Sequence, residues 1–198
     1  MAACAGRRPP VYAPAAREEA ERAIAAWRES VSRADSLGPA RLLYEARVSQ
    51  GPFRMTGTLA VRDGPRAVDA NLAGPFGDSV ARYEEGALRG KNIQPIAIEA
   101  DQLRWLLGGA WKGSAAPEVA GVDGRDALLR WSGRQEVEAV IDVSRARFKS
   151  LRIKRSEGAM AATYSGEASS WPQRIDLEDL KSGNTLRLVL IATEADTE

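Results

Sequence analysis

The spacing of apolar residues changes near residue 40, and this change divides the chain into a helical start and a β-rich remainder. Over residues 17–38, apolar side chains recur every three or four positions, at Ala20, Ile24, Trp27 and Val31. This period, with acidic residues in the first turn and Gly38-Pro39 at the end, predicts one amphipathic helix. Its single apolar stripe predicts that the helix packs against a larger surface.

From residue 40 onward, apolar and polar residues alternate, as in strands that bury one face. Turn-forming residues separate eleven such segments. They are 40–49, 55–61, 68–72, 80–83, 87–91, 127–131, 137–143, 147–155, 160–164, 174–180 and 185–192. A second helix is predicted over residues 97–111, where leucines return to helical spacing, and residues 112–124 read as a loop.

These elements predict a mainly β (α+β) protein with a single curved antiparallel sheet of about eleven strands. An N-terminal helix and a middle helix would cover the sheet. Because two helices cover little of so large a sheet, its concave face could retain an apolar hollow, although a packed sandwich fits the same pattern. A length of 198 residues suits one domain. We expect that domain over residues 17–193, with a flexible tether at 1–16 and a tail at 194–198.

The composition argues against several kinds of chemistry. With 28 basic and 27 acidic residues, the net charge of +1 gives no overall attraction to nucleic acid. The chain has no histidine, the commonest metal ligand and general base, and its one cysteine cannot form an internal disulfide or a thiolate zinc site. We therefore expect no metal, no cofactor and no enzymatic activity. No apolar run approaches the roughly 18 residues that span a bilayer.

The first six residues, "MAACAG", resemble the end of a bacterial lipoprotein signal, in which the cysteine is acylated. Gly6, two positions after Cys4, fits sorting to the outer membrane. The Pro/Ala-rich stretch over residues 7–16 suits a tether, since it is extended and does not pack into a core. The alternative is that Cys4 is an incidental thiol in a frayed tail.

An aromatic residue occupies the tip of a predicted turn in "NLAGPFGDSV", residues 71–80. Pro75 and the glycines on either side are turn formers, and Phe76 between them is expected to stand outward. The alternative is that Phe76 folds back over its own hairpin.

A basic run without acidic residues, "RARFKSLRIKR", covers residues 145–155. Its surface candidates are Arg147, Lys149, Arg152 and Lys154. A solvated outer face explains them most simply. The functional alternative is attraction to anionic lipid headgroups or to an acidic partner, because clustered basic residues gain roughly 1 kcal/mol each near such a surface.

The order of these parts resembles the LolB family of outer-membrane lipoprotein receptors. The resemblance rests on a tethered cysteine, an N-terminal helix, consecutive strands, the "GPFG" turn, "LRWLLGG" after an acidic helix start, and "WPQRIDL" with "NTLRLVLIA" near the end. It runs from about residue 17 to 193 and is sharpest over 66–91. One departure is the compressed segment "LRWLLGGAWKGSAAPEVAG", which predicts a smaller lid.

The resemblance implies an incomplete β-barrel whose apolar cavity holds acyl chains. Candidate cavity residues are Leu42, Tyr44, Leu59, Val61, Leu72, Trp105, Leu106, Trp131, Ile141 and Leu188. It also implies that Phe76, with Pro75 and Gly77, forms a loop that helps to pass cargo into the membrane. The expected partners are acyl chains of lipoproteins or other lipids, a LolA-like periplasmic carrier, and the inner leaflet of the outer membrane.

We therefore expect a monomeric, non-enzymatic protein on the periplasmic face of the outer membrane, anchored through acylated Cys4. It would receive lipoproteins and insert them into that membrane. Two alternatives remain open at this stage. The protein could be a LolA/LolB-like lipoprotein that binds another lipid, or a structural lipoprotein with a packed core that docks a protein partner.

Overall fold

Thirteen strands in the described part of the chain form one antiparallel sheet. A computed structural model describes residues 11–63, 68–90, 93–97, 99–133, 135–155, 158–166 and 171–195. The strands are β1 (Ala40–Gln50), β2 (Phe53–Asp63), β3 (Val68–Ala73), β4 (Ser79–Glu84), β5 (Ala87–Gly90), β6 (Ile93–Ala97), β7 (Glu118–Asp123), β8 (Asp126–Trp131), β9 (Val137–Asp142), β10 (Arg147–Arg155), β11 (Gly158–Ser165), β12 (Arg174–Asp179) and β13 (Asn184–Ala195). The helices are α1 (Arg17–Ser36) and α2 (Ala100–Leu107).

The sheet is an up-and-down meander with one opening. Its order is β6-β5-β4-β3-β2-β1-β13-β12-β11-β10-β9-β8-β7, so every strand but the two edge strands lies between two neighbours. The first and last strands pair with each other in the middle, where Ala46 lies opposite Leu188. The edges are β6 and β7, which follow each other in sequence and are joined by the segment that contains α2. The mainly β class and the incomplete barrel are thus confirmed.

The predicted number of strands was too low by two, and the missing strands are the two edges. β6 lies just before the predicted middle helix and overlaps it only at Ala97, and it contains Pro95, which breaks a strand pattern. β7 lies inside the predicted loop 112–124, and its register shifts between Val119 and Gly121. The middle helix is correspondingly shorter than the predicted 97–111, and Gly108-Gly109 follows its last turn.

The central strands bury alternate residues on the concave face of the sheet, as their pattern predicts. In β1 burial alternates along the strand. Leu42, Tyr44 and Ala46 are buried, whereas Arg41 and Leu43 are exposed. The same face of β12 and β13 buries Ile175 and Leu188. These side chains belong to one apolar core that runs along the sheet.

Helix α1 packs its apolar stripe on the concave side, against the β7, β9 and β10 part of the sheet. Its buried residues are Ala23, Ala26, Ser30 and Val31, with Trp27 partly buried beside them. At its start, the Glu19 carboxylate accepts a hydrogen bond from the Ala16 backbone N–H at 2.9 Å. None of the described helices is long and apolar enough to cross a membrane.

The β7 edge is paired with the chain's own N-terminal segment. Ala13 forms a bridge with Val122, and their two backbone hydrogen bonds measure 2.9 and 2.8 Å. A side chain at Gly121 would collide with Tyr12 and Ala13, which indicates how closely the two segments approach. Part of the predicted 1–16 tether therefore lies against the sheet.

A substitution at Gly57 in β2 tests how closely the β2–β3 hairpin is packed. A methyl group there would lie against the carbonyl oxygen of Ala73, whereas one at the exposed Gly133 would meet nothing within 4 Å. We expect Gly57→Ala to lower the free energy of unfolding by about 1–3 kcal/mol, because the strands must move apart. Urea unfolding checks this, with Gly133→Ala as the control. Equal midpoints for the two variants would contradict the close approach.

Candidate functional site

The concave face of the sheet gathers the residues that sequence analysis assigned to an acyl cavity. Nine of the ten are buried, and Trp105 is partly buried. The buried ones are Leu42, Tyr44, Leu59, Val61, Leu72, Leu106, Trp131, Ile141 and Leu188. They come from α2 and from both arms of the meander, which are β1–β6 and β7–β13. Their side chains pack into the same core. The concave face of the sheet is therefore continuous and apolar, and its side chains are packed against one another.

Three polar atoms lie inside this apolar core without a hydrogen-bond partner among the described residues: the hydroxyls of Tyr44 and Tyr164, and Nε1 of Trp131. Burial raises the pKa of both tyrosines, and for Tyr164 the nearby Tyr44 adds to the effect. Both phenols therefore stay protonated, and each can donate a hydrogen bond. An unpaired buried donor costs about 1–3 kcal/mol, so these groups weaken the fold.

Helix α2 spans the open side of the meander and is held to both arms. Leu103, Leu106 and Leu107 face the core. On one arm, Arg104 Nε lies 2.7 Å from Oδ1 of Asp63 at the end of β2. On the other, Gln102 Nε2 donates to Oε1 of Gln135 in the β8–β9 connection at 2.8 Å. The helix is thus a lid.

The segment after the lid is fastened to α1. Trp27 Nε1 donates a hydrogen bond to the carbonyl of Trp111 at 2.9 Å, and its ring meets Trp131 edge-on at 6.3 Å between centroids. Lys112 Nζ lies 5.6 Å from the centre of the Trp105 ring. These contacts join α1, the lid and β8 through aromatic side chains.

An open pocket of about 250 Å³ lies between the ends of α1 and α2. We call it the lid pocket. Its walls are mostly apolar and include Trp105 and Trp171, and the Asp63–Arg104 ion pair lies at its side. Since pockets that enclose drug-sized ligands hold about 300–1,000 Å³, a long acyl chain would need more room than this pocket offers with α2 in place.

The turn at residues 74–78 projects Phe76 into solvent. The Gly77 N–H donates to the Gly74 carbonyl at 3.0 Å, and the Gly74 N–H donates to the Asp78 carbonyl at 2.8 Å. Gly77 has a φ of +82°, which glycine adopts at little cost. Phe76 is 95% exposed. The prediction that it stands outward is confirmed, and it does not fold back over its hairpin.

The basic run separates into two groups because β10 contains a bulge. The register between β9 and β10 shifts between Phe148 and Ser150, which alters the alternation of faces. Arg152 is exposed on the outer face, and Lys154 pairs there with Glu136. Arg147 and Lys149 instead line a pocket at the start of β10. The four residues therefore do not form one basic surface.

This second pocket, the basic pocket, holds about 230 Å³. It lies where α1, the end of α2 and the adjacent ends of β9, β10 and β11 meet. Its cationic side chains are Arg33, Arg125, Arg145, Arg147 and Lys149, and its one carboxylate is Asp142. Tyr164 and Phe148 contribute apolar wall. Gly108 belongs to both pockets, so the contact between the ends of the two helices separates them.

The Asp142 carboxylate already accepts hydrogen bonds within its own turn and is paired with an arginine. Its Oδ1 accepts hydrogen bonds from the Ser144 hydroxyl at 2.6 Å and the Ser144 N–H at 3.1 Å, and Oδ2 lies 3.3 Å from Arg125 Nε. Burial opposes ionisation of this carboxyl, but the Ser144 hydrogen bond and the charges of Arg125 and Lys149 outweigh it and lower its pKa. The carboxylate therefore remains charged near neutral pH.

Sequence reasoning missed the basic pocket and the lid contacts. Arg33 and Arg125 come from α1 and the β7–β8 turn, and no local pattern connects them to Arg145. The only signal was the run 145–155, whose first arginine lies in the pocket. Cys4 lies outside the described residues.

The architecture is that of an incomplete antiparallel barrel whose open side is closed by helices. Solved structures with a similar fold include a LolA superfamily protein from Nitrosomonas europaea, with 15% identity, a TM-score of 0.57, and coverage of 87% of this chain and 94% of that one. A DUF1329 family protein from Desulfovibrio piger has 7% identity and a TM-score of 0.56, with 90% and 93% covered. No family model and no curated protein matches the sequence.

The Asp63–Arg104 ion pair should stabilise the lid. Asp63 is 6% exposed, and we expect Asp63→Asn to lower the free energy of unfolding by about 1–3 kcal/mol because it weakens a charge-assisted hydrogen bond. The matched control is Asp35→Asn, whose partner Lys112 and own side chain are both about half exposed. That exposed pair should contribute less than about 1 kcal/mol. Urea unfolding measures both, and an equal loss would argue against the lid contact.

Proposed function

We propose that this protein is a non-enzymatic acyl-chain-binding lipoprotein of the bacterial envelope, which receives lipoproteins from a LolA-like periplasmic carrier and inserts them into the outer membrane. The observation that carries the proposal is Phe76, a large apolar side chain that is 95% exposed on a hydrogen-bonded turn. The LolA superfamily fold of the Nitrosomonas europaea protein supports the same class.

The concave face supports acyl-chain binding. It is lined by apolar side chains from both arms of the sheet, and each buried CH₂ of a chain would gain about 0.8 kcal/mol there. The unpaired Tyr44 and Tyr164 hydroxyls and Trp131 Nε1 could donate to ester or amide oxygens of an acylated cargo. Entry would require α2 to move, because its leucines fill the space that cargo would occupy.

The turn that carries Phe76 supports delivery to a membrane. It follows directly on β3, whose Leu72 is fully buried in the core, so the exposed tip and the apolar interior lie on one hairpin. A phenylalanine at the headgroup boundary would bring this hairpin to the lipid, and an acyl chain could pass from one apolar environment to another. The step needs no nucleotide, because the bilayer is the final apolar acceptor. Acylation of Cys4 would hold the domain at the membrane.

Acyl binding is tested with a fluorescent fatty acid added to the purified, delipidated protein. We expect tryptophan emission to be quenched by energy transfer as the probe enters near Trp131 and Trp105. Uptake should be faster for Asp63→Asn, because its lid is loosened, and unchanged for Glu21→Gln, whose ion pair with Arg17 is exposed at the start of α1. Mass spectrometry of lipids extracted from the untagged protein gives a second readout. A protein that takes up no probe and carries no lipid would favour the packed interaction lipoprotein.

Delivery is tested with Phe76→Glu in a transfer assay from a loaded carrier to liposomes. We expect the variant to keep its stability within about 0.5 kcal/mol, because the side chain is exposed. It should also accept cargo normally but release little of it to liposomes. Phe76→Leu should deliver normally. Ile191→Glu is the matched control, since Ile191 is 59% exposed on the outer side of β13. Delivery by Phe76→Glu at the normal rate would refute the role of this loop.

A further inference from the structure

The cationic side chains of the basic pocket have no part in the function proposed above, and they indicate a ligand of their own. We propose that it binds a phosphate-type anion, either free phosphate or the phosphodiester of a phospholipid headgroup. The proposal does not depend on acyl-chain transfer, since the pocket lies across the contact between α1 and α2 from the lid pocket.

The first reason is the excess of positive charge around a small space. Five cationic side chains and one carboxylate line the pocket. That carboxylate, Asp142, is held by Ser144 and Arg125 and cannot neutralise the remaining cations. Lys149 is paired with Asp126 and Arg33 with Glu29, so the charge that these pairs leave over is centred on Arg145. The field near Arg145 is therefore positive.

The second reason is that Arg145 is presented on a fixed turn. Its backbone N–H donates to both the carbonyl and the carboxylate of Asp142, each at 3.3 Å. The next residue, Ala146, is buried with a φ of +49°, a region that non-glycine residues rarely adopt. Arg33 donates to the Ala146 carbonyl at 3.3 Å and ties this turn to α1. The strained backbone is thus held from two sides.

The guanidinium of Arg145 itself is exposed, and the described residues offer it no ion-pair partner. An immobilised turn that carries an unpaired arginine is preorganised for an anion, because little further ordering is needed on binding. Strain of this kind concentrates at binding sites.

The third reason is the match between pocket and anion. A volume of about 230 Å³ is below the roughly 300–1,000 Å³ that encloses drug-sized ligands, so the pocket suits an ionic group. The arginines approach from α1, the β7–β8 turn, the β9–β10 turn and β10. Donors from several directions suit a tetrahedral anion better than a planar carboxylate, and the forked guanidinium binds phosphate oxygens in pairs.

Isothermal titration of the full chain at low salt tests the proposal with two probes, inorganic phosphate and water-soluble dihexanoyl phosphatidylglycerol. We expect at least one to bind, and Arg145→Ala to weaken that binding about tenfold through loss of a charge-assisted contact. Tighter binding of the lipid than of phosphate, if Arg145→Ala weakens it, would identify a headgroup site, and tighter binding of phosphate would identify a free-anion site. Arg145→Lys should bind with an affinity between those of the parent protein and of Arg145→Ala, because lysine keeps the positive charge but lacks the forked guanidinium.

The control is Arg152→Ala, an arginine on the outer face of the same strand, which should bind as the parent protein does. Circular dichroism should show all three variants folded, since both arginines are exposed. Absence of binding to both probes, or an equal loss in Arg152→Ala, would overturn the proposal. The fatty-acid uptake assay separates this result from a failure of acyl binding, because Arg145→Ala should take up the fatty acid at the parent rate.

Discussion

The connection between the two edge strands is the constraint on which the shape of this protein depends. β6 and β7 are consecutive in sequence but lie at opposite edges of thirteen strands. At about 4.8 Å per strand, a flat sheet would separate them by about 58 Å. The segment from Ala97 to Glu118, which includes α2, could reach about 57–61 Å, but only if every residue outside the helix were fully extended. Turns at Gly109 and Gly113, whose φ values are +63° and +65°, shorten that reach, so the sheet must curl. The segment that requires the curl also crosses the opening.

In this arrangement α2 covers the interior, and its structure depends on contacts with the rest of the protein. An isolated helix needs about 12–15 residues to be even marginally stable, and α2 has eight. Its helicity depends on the leucines that it buries and on its two polar attachments, Arg104 to Asp63 and Gln102 to Gln135. Regions held by few contacts open at low free energy. We therefore expect the lid to open at a lower free energy than the paired central strands.

Sequence patterns predicted the centre of the sheet well and its margins poorly. Strands such as β1 and β3 bury one face along their length, and this burial produces the alternation of apolar and polar residues in the sequence. β6 contains a proline and β7 a register shift at Gly121, and neither shows a regular period. Phe76 was found because its turn is determined by neighbouring residues. The basic pocket was not, because Arg33 and the Ala146 carbonyl that it contacts are 113 positions apart.

The pairing of Ala13 with Val122 has a consequence for how copies of this chain meet. An open sheet offers two rows of unpaired backbone groups to other chains, and such edges promote aggregation. One edge here is occupied by the molecule's own N-terminal segment. The other contains Pro95, which lacks the N–H that a neighbouring strand would need. Both edges of the described sheet therefore offer fewer unpaired backbone groups to another copy of this chain than bare strands would.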